Sequence, residues 1–406
     1  MTNLELKPVL RFPEFTNFWT HTTISDCGIV VTGSTPSTSN QAFYGGHFNF
    51  ISPADMQGQR YVDETKTTLT EAGFNKCRKL PPSSILFVCI GSSIGKVAQV
   101  TKESCSNQQI NALVVNENNS SDFLFSLLEK QSSKIAILAG EQAVPIINKS
   151  QFSKVKLVTP SCKIEQQKIA DFLSSVDKKI SLLKEKHALI AQYKKGVMQK
   201  LFKQEIRFKD DNGNDFPAWQ TISLSKLASK NSIKNKDESV NIVLTNSAKD
   251  GIVNQGDYFK KDIANQGNLG GYTVVEKNDF VYNPRISELA PVGPIKRNHI
   301  GQGVMSPLYT VFRFKDDSLL DYLELYFNTT MWHRYMHSIA NFGARHDRMN
   351  ITTSDFYALP LPIPSEEERA KIVSFVNALE AKVNAVKQQI ELTQTFKKGL
   401  LQQMFV

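Results

Sequence analysis

Two long stretches of the chain carry apolar residues at intervals of three and four. In the first they fall at Ile169, Phe172, Leu173, Val176, Ile180, Leu183, Ile190, Tyr193, Val197 and Leu201. In the second they fall at Ile372, Phe375, Val376, Leu379, Val383, Val386, Ile390, Phe396, Leu400 and Met404. That spacing puts one apolar stripe along one face of a helix. Neither stretch contains proline, and no glycine interrupts either before Gly196 and Gly399. A helix of about 38 residues is about 57 Å long. A stripe of that length has to be covered, and two matching stripes can cover each other as an antiparallel pair. The competing arrangement packs each helix on its own domain. Elsewhere the pattern is short and strand-like, at Ile85–Ile90, Lys96–Val100, Leu113–Val115, Tyr272–Val275 and Tyr309–Phe314, each run bounded by Gly, Pro, Asn or Ser. Long polar loops such as Thr32–Tyr44 and Ile286–Gly303 interrupt the runs. Loops of this kind on a stable scaffold commonly carry binding residues.

The two helical stretches are copies of each other. A shift of 203 residues, without a gap, aligns Glu165–Phe202 with Glu368–Phe405. It matches Glu165/Glu368, Lys168/Lys371, Ile169/Ile372, Phe172/Phe375, Lys179/Lys382, Lys184/Lys387, Lys194/Lys397, Lys195/Lys398, Gly196/Gly399, Gln199/Gln402 and Phe202/Phe405. Upstream, Gln151-Phe152-Ser153 through Thr159-Pro160-Ser161 matches Asp355-Phe356-Tyr357 through Ile363-Pro364-Ser365, and Asp122-Phe123-Leu124 echoes Asp321-Tyr322-Leu323. The halves also open alike, with Phe12-Pro13 before Trp19 and Phe216-Pro217 before Trp219. An internal repeat fixes the architecture. The expected fold is α+β: a tandem duplication of two mixed, β-rich domains joined by two long antiparallel coiled-coil helices with pseudo-twofold symmetry. The expected boundaries are 1–162 for the first domain, 163–204 for the central spacer helix, 205–363 for the second domain and 364–406 for the C-terminal spacer helix.

Composition narrows the function classes. The chain has 406 residues, 41% of them apolar, which is enough for proper cores. Lys plus Arg is 48 against 39 Asp plus Glu, a net charge of +9 that suits a polyanionic partner. The cysteines Cys27, Cys77, Cys89, Cys105 and Cys162 are odd in number and show no Cys-x-x-Cys spacing, so reduced thiols are expected rather than a disulfide framework or a zinc site. The opening residues lack a signal peptide, and the longest apolar run is too short to span a bilayer, so a cytoplasmic location without membrane contact is expected.

Catalytic signatures are absent. Gly91–Lys96 has a phosphate-loop look, but its spacing is one residue short and Val97 replaces the magnesium-binding hydroxyl, so it reads as a tight turn between strands. Asn283-Pro284-Arg285 is not the motif of an amino-methyltransferase, and Glu380-Ala381-Lys382 falls inside a helix, where a solvated face is expected. His333 and His337 share a helix face but lack the metalloprotease glutamate, since Arg334 stands there. What remains is a set of polar and basic loop residues of the kinds that read base edges or hold phosphates. In the first domain these are Thr32, Gly33, Ser34, Thr35, Ser52, Asp55, Lys96, Gln108 and Gln109, with Pro36 and Asn107 beside them. In the second they are Tyr282, Asn283, Arg285, Ser287, Lys296, Arg297, Arg345, His346 and Arg348, with Asn298, His299, Asp347 and Asn350 alongside.

With these features together, the chain resembles the specificity subunits of type I restriction-modification systems. The strongest markers are Pro160-Ser161, Glu165-Gln166-Gln167-Lys168-Ile169-Ala170, Lys194-Lys195-Gly196 and Leu201-Phe202, returning as Pro364-Ser365, Glu368, Lys371-Ile372, Lys397-Lys398-Gly399 and Met404-Phe405. Thr32–Pro36 with Gly91–Lys96, and Tyr282–Arg285 with Ser306-Pro307-Leu308-Tyr309, look like two target recognition domains of that family. The second copy departs from the pattern, with Glu367-Glu368-Arg369-Ala370 where the first has Gln166-Gln167-Lys168 after its glutamate. The resemblance implies a non-catalytic subunit in which each domain reads half of a split double-stranded DNA site. It implies that the helices set the gap and dock two modification subunits. S-adenosylmethionine, ATP and Mg2+ would belong to the modification and restriction/translocase partners, with no cofactor in this chain. A non-catalytic protein–protein scaffold is the competing reading, and a lone nuclease or methyltransferase is disfavoured by the missing motifs.

Overall fold

The computed structural model describes residues 6–140, 144–258, 269–340 and 347–406. The chain forms two compact units, one of residues 1–185 with 386–406 and one of residues 186–385. Each unit therefore holds one β-rich domain and a length of each long helix. The long helices run Lys163–Phe202 and Glu366–Gln403.

In the first unit the strands are β1 (Thr20–Thr23), β2 (Gly28–Thr32), β3 (Tyr44–Ile51), β4 (Tyr61–Val62), β5 (Thr67–Leu69), β6 (Ile85–Val88), β7 (Val97–Val100), β8 (Cys105–Ser106), β9 (Ile110–Val115) and β10 (Lys156–Thr159). The central sheet has the order β2-β9-β6-β7-β4, antiparallel except for the short edge strand β4. Successive side chains of a strand face opposite ways, and β6 buries both faces. Ile85 and Phe87 join the helix-side core with Phe123, Leu127, Phe152 and Leu173, while Leu86 and Val88 join a second core with Ala98, Val100, Ile110 and Ala112. A sheet covered on both faces needs a continuous apolar run, which is what Ile85–Ile90 supplies. The helix Ser121–Ala136 begins where Ser120 accepts a hydrogen bond from Phe123 N–H, an N-cap that satisfies an otherwise orphaned donor.

The second unit repeats the plan. Its strands are β11 (Gln220–Ser223), β12 (Ala228–Asn231), β13 (Leu244–Ser247), β14 (Gly251–Asn254), β15 (Thr273–Val275), β16 (Phe280–Tyr282), β17 (Ile295–Arg297), β18 (Gly303–Met305), β19 (Thr310–Phe314) and β20 (Pro360–Ile363). The central sheet, β12-β19-β16-β17, follows the first sheet's order. Phe280 pairs with Phe312 where Ile85 pairs with Leu113, and Tyr282 pairs with Ile295 where Phe87 pairs with Val97. Among the described residues nothing corresponds to β4, so this sheet has four strands against five. Both sheet faces are again buried: Phe280 and Phe312 face Tyr322, Trp332 and Phe356, and Val281 and Val311 face Leu244, Val275 and Met305.

In each unit the helix stripes meet both expected covers. Ile169, Leu173, Val176 and Ile180 pack with Leu400 and Met404 of the other long helix and with the first domain. Met198, Leu201 and Phe202 pack with Ile372 and Val376 and with the second domain. Within each unit the helices run antiparallel, as Lys397 beside Asp177 and Lys194 beside Glu380 show. The stripe is narrower than the periodicity predicted. Tyr193 is 57% exposed and Phe396 56%, and Phe172 is also exposed. Tyr193 and Phe396 are repeat partners, and so are the exposed Leu189 and Leu392.

Candidate nucleic-acid interface

The repeat identities become intelligible at the point where each domain meets its helix. Glu165 is buried, and its carboxylate accepts from Arg11 Nε at 2.7 Å, Arg11 Nη2 at 2.8 Å and Trp19 Nε1 at 3.1 Å. Glu368, also buried, accepts from Arg207 Nε at 3.0 Å, Arg207 Nη2 at 2.7 Å and Trp219 Nε1 at 2.8 Å. A buried carboxylate is tolerated when a bidentate guanidinium and a further donor satisfy it. The carboxylate raises the pKa of Arg11 and of Arg207 above the ordinary arginine value, chiefly through these side-chain hydrogen bonds. The structure corrects one alignment. Phe12 stands edge-on to Phe172, and Phe208 stands edge-on to Phe375, so Arg11-Phe12 corresponds to Arg207-Phe208 rather than to Phe216-Pro217. The second copy has a longer entry loop between its arginine and its tryptophan, which displaced the Phe-Pro match.

The twin lysines are equivalent too. Lys397 Nζ lies 2.7 Å from Glu129 Oε2 and 2.9 Å from Asp177 Oδ1, while its repeat partner Lys194 pairs with Glu380. Asp177 and Glu380 are themselves repeat partners. Burial pulls the Lys397 ammonium down, but Glu129 and Asp177 together hold it above the ordinary lysine value. Glu380 therefore has a partner rather than lying on a purely solvated face.

In the first unit the predicted residues come together at one loop end. Thr32, the last residue of β2, donates to Asn111 Oδ1 at 2.7 Å. Ser34 N–H donates to the Ser106 carbonyl at 2.8 Å, and Thr35 Oγ1 donates to Gln108 Oε1 at 2.6 Å. The approach is so close that a Cβ on Gly33 would lie 2.0 Å from the Asn107 carbonyl oxygen, so only glycine fits. Gln109 is tied to Asn107 at 2.9 Å, and Lys96 Nζ reaches the Pro53 carbonyl at 3.3 Å. Gly91–Lys96 is the tight turn from β6 towards β7, with Gly91 and Gly95 both at positive φ. Thr35 and Gln108 are exposed and free to meet a ligand. Ser52 and Asp55 are not. Asp55 is buried, Oδ2 accepting from Ser52 N–H at 2.9 Å and Ser52 Oγ at 2.7 Å, and Oδ1 from Lys66 N–H at 2.9 Å. That carboxylate holds its own turn. The sequence reading passed over Lys76, Arg78 and Lys79, which are exposed beside this loop. Arg78 Nη1 donates to the Thr32 carbonyl at 2.6 Å, and Arg78 N–H donates to Ser34 Oγ at 3.1 Å. Three cations within four positions were the available signal.

In the second unit the predicted set divides. Asn283 donates through Nδ2 to the Asn246 carbonyl at 3.0 Å. Arg285, exposed, lies opposite Arg348 in an isolated antiparallel bridge, and Ser287 follows in a turn closed by Ala290. Tyr282 does not belong to this surface. It is 3% exposed, stacks on Phe356 at 5.0 Å and donates to the Val292 carbonyl at 2.9 Å. Burial pushes its phenol well up. Lys296 and Arg297 are turned to the helix side. Lys296 Nζ donates to Asn328 Oδ1 at 2.6 Å, and burial lowers its pKa. Arg297 is held by Asn278 at 2.9 Å, Asp321 at 2.6 Å and Glu324 at 3.4 Å. Asn298 is fully buried, holding the Glu276 and Gly301 carbonyls, and His299 pairs with Glu324 at 2.7 Å. Arg345 and His346 lie outside the described residues.

Among the described residues no group of three or more His, Cys, Asp or Glu is arranged to hold a metal, and no helix is long and apolar enough to cross a membrane. All five cysteines are free thiols.

Known proteins match this arrangement. Residues 18–192 match the type I restriction modification DNA specificity domain. The specificity subunit of the type I restriction enzyme HindI of Haemophilus influenzae is 37% identical over 152 residues, covering 36% of this chain and 33% of that protein. The MjaIX specificity subunit of Methanocaldococcus jannaschii is 24% identical over 222 residues, covering 52% and 51%. The alignments thus span a third to a half of these relatives. Among solved structures, the S subunit of a type I restriction-modification system from M. genitalium aligns over 98% of this chain and 99% of its own, with a TM-score of 0.53 at 16% identity. A chain from a structure of type I complex assembly and conformational transition aligns over 95% and 97%, with a TM-score of 0.56 at 15% identity. By fold, the chain is of the class with two β-rich domains on paired long helices. Over residues 18–192 it carries the specificity domain of type I restriction-modification systems, and it is similar to their specificity subunits.

Proposed function

We propose that this chain is the sequence-reading subunit of a type I restriction-modification enzyme and carries no catalytic centre of its own. Each domain reads one half of a bipartite double-stranded DNA target through its loop end: Thr35, Gln108 and Arg78 in the first, Asn283, Arg285, Ser287 and Arg348 in the second. The observation that carries the reading is the combination of a repeated anchor, Arg–Glu–Trp, with loop ends that differ between the repeats. An arrangement that holds two different polar surfaces in the same way on one frame suits a two-part asymmetric target. Helices of 40 and 38 residues, about 60 and 57 Å long, act as the spacer. The exposed repeat partners Leu189 with Tyr193 and Leu392 with Phe396 offer two like surfaces for two modification subunits. The methyl donor, ATP and Mg2+ belong to the modification and restriction partners. Exchange of residues 1–160 for the matching domain of a relative tests the reading. Methylation mapping should show one half of the target changed and the other retained. A change in both halves, or none, would overturn it.

A further inference from the structure

Arg285 and Arg348 face each other in a way a folded chain ordinarily avoids. Ile286 N–H donates to the Asp347 carbonyl, and Met349 N–H donates to the Pro284 carbonyl, both at 2.9 Å. These bonds flank the bridge between Arg285 and Arg348. The two arginines are therefore a non-hydrogen-bonded antiparallel pair, the geometry with the shorter Cα separation and the closer side chains. Like charges directly opposite each other on adjacent strands are destabilising. The Arg285 guanidinium has no acceptor among the described residues. Among the described residues Arg348 has only its exposed neighbour Asp347, at 3.8 Å from Nε. The segment is not free to relax: Arg285 N–H is held by Asn283 Oδ1 at 3.0 Å, Asn283 by Asn246, and Met349 is buried in the core. By contrast Arg11, Arg60, Arg207, Arg297 and Arg313 are each paired with a carboxylate at 2.7 Å or less.

From this we infer that Arg285 and Arg348 together form a built anion site that takes one phosphodiester group of the DNA backbone, held between the two guanidiniums. A phosphate offers acceptor oxygens to both forks and removes the repulsion that the empty pair carries. The pair then sets the register of the second domain on the duplex and leaves base reading to Asn283 and Ser287. The inference rests on the DNA-reading function for its ligand, but the site itself can be tested without DNA.

The first measurement is the melting temperature of the full chain at low ionic strength. Arg285→Gln and Arg348→Gln should each melt about 1 °C above the wild type, because either change removes the repulsion. Sodium sulfate, compared with sodium chloride at equal ionic strength, should raise the wild-type melting temperature more than that of either variant. Equal sulfate increments in all three proteins would overturn the site. The second measurement is the salt dependence of DNA binding by the chain with its modification partner. One shared phosphate predicts that each single variant, which leaves one guanidinium on the phosphate, lowers the slope of log K against log salt by less than about 1, and that the double variant lowers it by about 1 in all. A loss of about 2 in the double variant would mean two separate phosphates, and a relaxed base preference at unchanged slope would mean base reading. Either overturns the shared site and leaves the DNA-reading function standing. No DNA binding by the wild-type complex would sink that function, and the sulfate comparison would then decide the anion site alone.

Discussion

The two units differ least where domain meets helix and most at the outer edge of the sheet. Each has a buried glutamate clasped by an arginine and a tryptophan, and each has a lysine reaching an acid on the facing long helix. At the sheet edge they part. In the first unit Arg60, just before β4, is 7% exposed and bonds Asp122, Gln99 and Ser174, so the sheet edge is tied to the central long helix. In the second unit Arg297 stands where Gln99 stands and satisfies Asp321 and Glu324 directly, and among the described residues it bonds neither long helix. The position repeating Ser174 is Asn377, which lines an open groove of about 690 Å³ with Lys194, Glu380, Asp321, Glu324 and Asn328. The lesson is that the repeat retains the anchor that fixes a domain's seat, while the sheet edge and loops beyond it are free to diverge.

The sharpest way to break this comparison is to remove the anchor in each unit. Glu165→Ala and Glu368→Ala each leave a half-buried arginine and an indole N–H without their acceptor. Because the stranded guanidinium keeps some access to water, the loss should be about 2–3 kcal/mol, below that of a fully buried pair. The two losses should be equal within about 1 kcal/mol, because the partners are the same. Hydrogen exchange resolved by peptide reports each unit separately. If one variant destabilises its unit strongly and the other hardly at all, the anchors are alike in geometry but not in energy.

The edge should behave in the opposite way. Arg60→Met leaves Gln99, which is buried, without its guanidinium and cuts the bond to Ser174. A charged hydrogen-bond network of this kind is worth about 2 kcal/mol, so exchange should quicken in the central helix between 163 and 185 as well as in β4. Arg297→Met should quicken exchange around Asp321 but leave both long helices unchanged. Equal protection loss in the helices of both variants would show that the second unit has a tie of its own.

A smaller contrast lies in the twin lysines. Lys397 is 13% exposed between two acids, and Lys194 is 26% exposed beside one. Lys397→Met should cost about 1–2 kcal/mol and Lys194→Met under about 1 kcal/mol. The pH dependence carries a sign. The folded pKa of Lys397 is raised, so its contribution is complete below the unfolded lysine value of about 10.4 and is lost as pH rises through the higher folded value. Stability of the first unit should therefore fall across that alkaline window in the wild type and fall less in Lys397→Met. An identical alkaline limb in both proteins would remove the charge pair from the account.

Much of this was legible from the chain because the features are periodic. The long helices announce themselves by a 3.6-residue stripe, and the duplication by identities at a constant shift. The strands Ile85–Val88 and Thr310–Phe314 are readable because both sheet faces are apolar. What was not legible depends on distant neighbours. Tyr282 looks like a surface residue beside Asn283 and Arg285, but Phe356, more than seventy positions on, covers its ring. Arg297 looks free until Asp321 and Glu324 fold over it. Asp55 reads as a ligand because nothing local reveals that Ser52 and Lys66 saturate it. Arg11 and Arg207 escaped because entry loops of different length hide their equivalence.

The smallest expected effect concerns Gly196 and Gly399, repeat partners inside the long helices. A Cβ at either would meet nothing within 4 Å outside the helix backbone. Glycine inside a helix costs roughly 0.5–1 kcal/mol relative to alanine, largely through the freedom it gives the unfolded chain. Gly196→Ala and Gly399→Ala should thus each raise stability by about that amount, seen as a small increase in the midpoint of urea unfolding. Nothing within the described chain explains why both copies keep the less stable residue. Under the docking proposed above, the exposed aromatic neighbours Tyr193 and Phe396, one turn earlier on the same helices, would bring a modification subunit close to bare helix backbone. Alanine should then weaken assembly with the modification subunit while stabilising the isolated chain, an opposition that a folding role could not produce. If alanine stabilises the chain and assembly is unchanged, the glycines do not mark the docking surface, and Leu189, Tyr193, Leu392 and Phe396 must be tested on their own.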